Sequence, residues 1–124
     1  MELTKAEEAL MKLVWKHRKV YMKDLLAAYP DPKPAKTTIA TLLKRLQEKE
    51  FVGYTLHGNS REYYPLVEKK VYFSSHIGGL IRNFFDNSSL KFASFFTQNS
   101  KLSYEELEAL RNMVDEEMEK TKKS

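Results

Sequence analysis

Between Lys36 and Val52 the chain reads KTTIATLLKRLQEKEFV, and two chemistries interleave along it at helical spacing. Ile39, Leu42, Leu43 and Leu46 fall at i, i+3, i+4 and i+7, an apolar stripe roughly 100° wide on a helix. Thr37, Thr38, Thr41, Lys44 and Arg45 fan across the opposite side. Short hydroxyls beside long cations suit a nucleic-acid groove: threonine reaches a base edge, a thymine methyl or a phosphate, and arginine or lysine contacts guanine or phosphate. Lys36 and the first hydroxyls also stand at the helix start, where free backbone N–H groups hold anions. A plainer reading makes Thr37 or Thr38 the helix cap and the cations a solvated face. Glu48, on the same face, favours the plainer reading.

Other chemistry is sparse. His17, His57 and His76 lie far apart, and no pair has metal-ligand spacing. The chain has no cysteine, which removes thiol nucleophiles, disulfides and cysteine zinc sites. Phosphate-binding glycine loops and a G-x-S-x-G elbow are absent, and the acidic runs YEEL and DEEMEK read as the wet face of a helix. Neither an enzymatic activity nor a cofactor is expected.

At 124 residues, with 42% hydrophobic and 31% charged residues, the chain is sized for one main core. Its net charge of +4 is unevenly placed. Residues 1–70 hold 14 lysines and arginines against 9 acids, and residues 71–124 hold 7 against 8. A basic binding module followed by a near-neutral segment with another task fits that asymmetry. No stretch has the roughly 18 apolar residues of a spanning helix, and MELTKAEEAL lacks the layout of a signal peptide. No direct membrane binding and a cytoplasmic location are therefore expected.

The elements that must position the threonine and cation face are legible in turn. Thr4 and Glu7 form a capping-box pattern ahead of a helix over about 5–18. Val20 and Tyr21 suit a short extended piece, and MKDLLAAYP a brief helix that stops near Tyr29 because Pro30 follows. The proline-rich PDPKPAK stiffens the approach to the third helix, which runs to about Lys49. FVGYTL and REYYPLV are strand-like and flank HGNS, where Gly58 and Asn59 allow a hairpin turn. Asn59, Ser60 and Arg61 at that tip would put a second polar and cationic element near backbone phosphate, with Glu62 beside it counting mildly against. The expected fold class is mainly α with a small β-hairpin: a winged helix-turn-helix domain over 1–68, then a helical dimerisation region over 69–124.

That second region carries apolar stripes without enough chain to enclose them. Phe73, Ile77, Leu80, Ile81 and Phe84 form one, Phe92, Phe95 and Phe96 a second, and Leu107, Leu110 and Val114 a third with a heptad-like seam extending to Met118. A second copy of the chain is the economical cover, so a homodimer is expected. Gly78 and Gly79 interrupt the first of these helices; close helix approach across the dimer is one reading of them and a kink the other.

Four stretches together resemble the penicillinase repressors of the BlaI/MecI type: LTKAEEALMKLVW, KTTIATLLKRLQEKEFV, REYYPLV and LSYEELEALRNMV. The resemblance covers nearly the whole chain. It implies a bacterial dimeric repressor of transcription on a double-stranded DNA operator, with Thr37, Thr38, Thr41 and Arg45 at the reading positions of the third helix. It also implies C-terminal helices that intertwine in the dimer, and inactivation by clipping set off by a membrane-bound sensor metalloprotease. The corresponding region lies near Phe95 and Phe96, but the asparagine expected before the phenylalanine is missing, so the region carries over and not the bond. Packing in the dimer core is the other reading of these phenylalanines. A winged-helix protein-interaction module without sequence-specific DNA binding is the alternative function.

Overall fold

The computed structural model describes residues 2–124. Helix α1 (Lys5–His17) opens on a reciprocal capping box, in which Thr4 Oγ1 accepts from the Glu7 N–H and Glu7 Oε1 accepts from the Thr4 N–H. Strand β1 (Val20–Tyr21) and helix α2 (Met22–Ala28) follow, then α3 (Lys36–Glu48), β2 (Val52–His57) and β3 (Ser60–Pro65). Three more helices complete the chain: α4 (Lys69–Phe84), α5 (Ser89–Asn99) and α6 (Tyr104–Lys123). The chain divides into a compact unit ending at His76 and a second unit, Ile77–Ser124. That division leaves the first two turns of α4 with the first unit, where sequence placed the change at 68/69.

The hairpin belongs to a three-stranded antiparallel sheet of order β1-β3-β2. β1 pairs Val20 with Tyr63 and Tyr21 with Glu62, so the extended piece beside α2 is the third strand. β2 and β3 run in register from Val52 opposite Pro65 to His57 opposite Ser60. The turn is therefore two residues long, Gly58 and Asn59, rather than the four of HGNS. Gly58 takes φ 65° at the first central position, the place a type II′ hairpin reserves for glycine.

The core of the first unit joins Leu10, Met11, Val14 and Trp15 of α1, Leu25 of α2, the α3 stripe, and Val20, Val52 and Tyr63 of the sheet. Burial of each large aliphatic side chain is worth about 2 kcal/mol. Helix α3 ends in a Schellman arrangement, with the Phe51 N–H donating to Leu46 O and the Glu50 N–H to Gln47 O. Glu50 holds the left-handed position there at φ 62°, a place that favours glycine.

Polar fastenings set the angles between these elements. Glu7 is buried, and its carboxylate meets Lys49 Nζ at 2.6 Å, which joins the start of α1 to the end of α3. Burial by itself would push the Glu7 carboxyl up, but the Lys49 ammonium and the Thr4 N–H outweigh it and hold the group below its ordinary value of 4.5. The root of α4 is tied to α1 in the same manner. Trp15 Nε1 donates to Val67 O at 2.8 Å, Arg18 makes two bonds to Glu68, and the Tyr72 hydroxyl donates to Glu8. Burial, reinforced by the Glu8 carboxylate, pushes the Tyr72 phenol up to about 12.

The second unit is built differently. None of its described residues is fully buried. Phe85 centres a small aromatic cluster, 5.4 Å from both Phe92 and Phe95, and Phe92 stacks on Phe96 at 6.5 Å. Ser103 and Glu106 cap α6 reciprocally, as their spacing predicts. Phe73, grouped by sequence with the dimer stripe, lies in the first unit, 6.0 Å from Trp15 and 5.6 Å from Tyr72.

A depressed carboxyl contributes stability that is present above its ordinary value and lost as pH falls through the folded one. Glu7→Gln is therefore expected to cost about 2 kcal/mol at pH 7, and the gap to the parent should close below pH 4.5. Urea unfolding midpoints at pH 7 and pH 3.5 check it, and a pH-independent gap would mean the charge of Glu7 contributes nothing.

Candidate nucleic-acid interface

Helix α3 holds its amphipathic division in three dimensions. Ile39, Leu42, Leu43 and Leu46 are buried, and Lys36, Thr37, Thr38, Thr41, Lys44 and Arg45 are all exposed. The start of the helix differs from the expectation that Thr37 or Thr38 caps it. Ala35 is the N-cap and supplies no side-chain bond, so the threonines stand within the first turn. Pro34 ahead of Ala35 fixes the extended entry into the helix without a capping side chain, so the hydroxyls of Thr37 and Thr38 are not spent on capping. Thr41 Oγ1 donates to Thr37 O at 3.0 Å, which orients its methyl and remaining lone pairs.

The turn between α2 and α3 is held by a residue that periodicity does not reveal. Lys33 Nζ donates to the carbonyls of Leu26, Ala27 and Tyr29, at 3.2, 3.1 and 2.6 Å. One ammonium thus satisfies the open C-terminal end of α2 and anchors the loop that delivers α3. A lysine five residues beyond a helix end was the available signal, but it does not distinguish a cap from a solvated charge.

On the wing, Asn59 sits in the turn, with Ser60 and Arg61 at the start of β3, all exposed. The Arg61 guanidinium lies 4.2 Å from the centre of the Tyr54 ring, which holds it near the hairpin without neutralising it. Glu62, counted against the wing, is occupied by His57, whose Nε2 lies 3.1 Å from Glu62 Oε1.

The structure brings Lys36 together with Asn59, Ser60 and Arg61 around one cleft of about 710 Å³ between the wing and the starts of α2 and α3. Lys23, Met22 and Leu26 of α2 and Tyr21, His57 and Tyr63 of the sheet complete its lining. Lys23 and His57 had not been singled out as interface residues, because α2 and the wing meet only through the pairing of β1 with β3. Thr37, Thr38, Thr41, Lys44 and Arg45 do not line that cleft and continue along the exposed face of α3. Among the described residues no three His, Asp or Glu side chains are grouped to hold a metal, and no helix is long and apolar enough to cross a membrane.

Three helices, a third strand formed before α2, and a hairpin beyond α3 define a winged-helix domain, the class built to present one helix to a DNA groove. The penicillinase repressor family model matches residues 3–116, and the chain belongs to that family. It is similar to a penicillinase repressor of Bacillus licheniformis, with 23% identity over 122 residues, 98% of this chain and 95% of the relative. It is also similar to the solution structure of the DNA-binding domain of the repressor BlaI, with 25% identity and a TM-score of 0.51, over 57% of this chain and 88% of that one. A MarR variant from E. coli matches at 12% identity and a TM-score of 0.50, over 94% of this chain and 79% of that one, a likeness of fold alone. The Bacillus licheniformis relative and BlaI are repressors, which supports a DNA-binding repressor.

The two faces of α3 make opposite predictions for stability. An Arg45→Ala, Thr41→Ala double variant is expected to stay within about 0.5 kcal/mol of the parent. Leu43→Ala is expected to lose about 3 kcal/mol. Denaturant melts of the two decide whether the exposed face is free of structural duty.

Proposed function

We propose that the protein is a homodimeric transcriptional repressor that occupies a two-fold related operator. The exposure of the whole polar face of α3, opposite its fully buried stripe, carries this reading. Two copies of α3 enter successive major grooves; Thr37, Thr38, Thr41 and Arg45 read base edges. Lys36, Lys44 and Arg61 hold backbone phosphate, with Asn59 and Ser60 at the wing turn, and supply the salt-dependent part of the affinity.

Dimerisation falls to the region beyond the winged helix. Ile77, Leu80, Phe84, Phe95, Phe96, Leu107 and Val114 are exposed in the single chain, and Ile81, Phe92 and Leu110 are only half-buried. A second copy removes that apolar surface from water, and Phe73, within the first unit, begins the same stripe of α4. A side chain at Gly78 would meet nothing within the chain, and one at Gly79 would meet only the tip of Arg82 at 3.8 Å. Open space around both supports the reading that another helix approaches there.

Release follows from loss of the dimer, since one half-site binds far more weakly than two linked ones. A membrane-bound sensor metalloprotease would trigger clipping near Phe95 and Phe96, and the repressor itself would act on chromosomal DNA in the cytoplasm. These two residues stand in the middle of α5, so cleavage there needs the helix to open locally before a protease can take the strand. A repressor of this kind also implies an inverted repeat upstream of its own gene, often beside a gene for a membrane metalloprotease.

Binding to a duplex carrying that repeat, against a scrambled duplex and across a salt series, tests the reading. The protein should prefer the repeat and weaken steeply with salt; the Arg45→Ala, Thr41→Ala variant should lose about tenfold or more of the preference while remaining dimeric. Equal binding to both duplexes, unchanged in the variant, would instead favour a protein-interaction module. Gly79→Leu is expected to weaken the dimer in sedimentation equilibrium, and normal dimerisation would sink the close-approach role of the glycines.

A further inference from the structure

His57 is the one imidazole in the cleft between the wing and the helix starts, and every element around that cleft presents a charged or titratable group to it. Lys23 comes from α2, Lys36 from α3, Arg61 and Tyr63 from β3 and Tyr21 from β1, the last with its ring centre 6.2 Å from that of the imidazole. Among the described residues Glu62, next to Arg61 on β3, is the acid in contact with it, at 3.1 Å from His57 Nε2. Half of the His57 side chain is exposed, and its Nε2 edge is engaged by Glu62.

We propose that His57 binds DNA backbone phosphate as an imidazolium, so that DNA binding by this protein takes up protons. This inference rests on the DNA-binding reading above and adds a residue and a form of regulation to it. With His57 neutral, the Glu62 carboxylate keeps its full charge at the mouth of a cleft that must accept an anion. Protonation cancels that charge through the Nε2 contact and leaves Nδ1–H to donate to a phosphate oxygen, a charge-assisted bond. Phosphate entering beside Lys23 and Lys36 in turn favours the protonated ring, and reciprocal linkage makes the proton favour DNA. Imidazole is the side chain whose charge changes in the range between pH 5 and 8.

A phosphate contact does not depend on base sequence, so the probe is a mixed-sequence duplex of about 30 base pairs, long enough for a dimer on successive turns. At fixed moderate salt, affinity should rise roughly fivefold from pH 8 to pH 6. His57→Gln should match the parent at pH 8, fail to gain at pH 6 and melt at the same temperature, which a merely structural histidine would not do. His57→Lys should bind at both pH values as the parent does at pH 6. An undiminished gain in His57→Gln, or a parent that binds equally at both pH values, overturns the proposal while leaving the repressor reading intact. Failure to bind any duplex at either pH would overturn both, and preference for the inverted repeat at pH 8 reports on the repressor reading alone.

Discussion

Burial of Ile39, Leu42, Leu43 and Leu46 is the interaction on which the first unit depends, because the helix that completes the core is also the one that must face outward. Each of these side chains contributes about 2 kcal/mol when removed from water, and together they outweigh any single polar contact in the domain. That burial sets the rotation of α3 about its own axis. With the rotation set, Thr37, Thr38, Thr41, Lys44 and Arg45 have no choice but solvent. A binding face is thus produced by the same stripe that stabilises the fold, and no further device is needed to keep it exposed.

Rotation alone does not place a helix along its axis or at an angle to its neighbours, and here the polar fastenings matter. Lys33 closes the end of α2 onto the loop that delivers α3, and Lys49 reaches from the far end of α3 to the buried Glu7 of α1. The two ends of α3 are therefore held by two lysines acting on quite different partners. One caps carbonyl groups. The other neutralises a carboxylate that burial would otherwise penalise, while that carboxylate also completes the cap of its own helix. The double duty of Glu7 explains why a charge can sit in the core of so small a domain.

The second unit shows the opposite economy. Its helices are well capped, and Phe85 gathers Phe92 and Phe95 around it, yet the apolar stripes of α4 and α6 remain in water. Three helices of this length carry more apolar surface than they can hide from one another. An element of that kind gains stability by association, because a partner removes the remaining apolar surface from water.

Local interactions were readable from the amino-acid order. The capping boxes of α1 and α6, the stop of α2 before Pro30, the stripe of α3 and the hairpin at Gly58 all depend on residues within a few positions of each other, so spacing reports them directly. The start of α3 was misread because threonine is a common cap, whereas Pro34 and Ala35 turn the chain without one. Phe85 lies just beyond the end of α4, so no helical period reports it; its role comes from ring geometry with α5. The amino-acid sequence by itself determined the amphipathic third helix, the wing turn, the family and the unpaired apolar stripes. Only the tertiary structure decided the third strand, the Glu7–Lys49 tie, the attachment of the first turns of α4, and the cleft that gathers Lys23, Lys36, His57 and Arg61. Those features join residues tens of positions apart, and their partners are selected by packing in three dimensions, which no short-range pattern encodes.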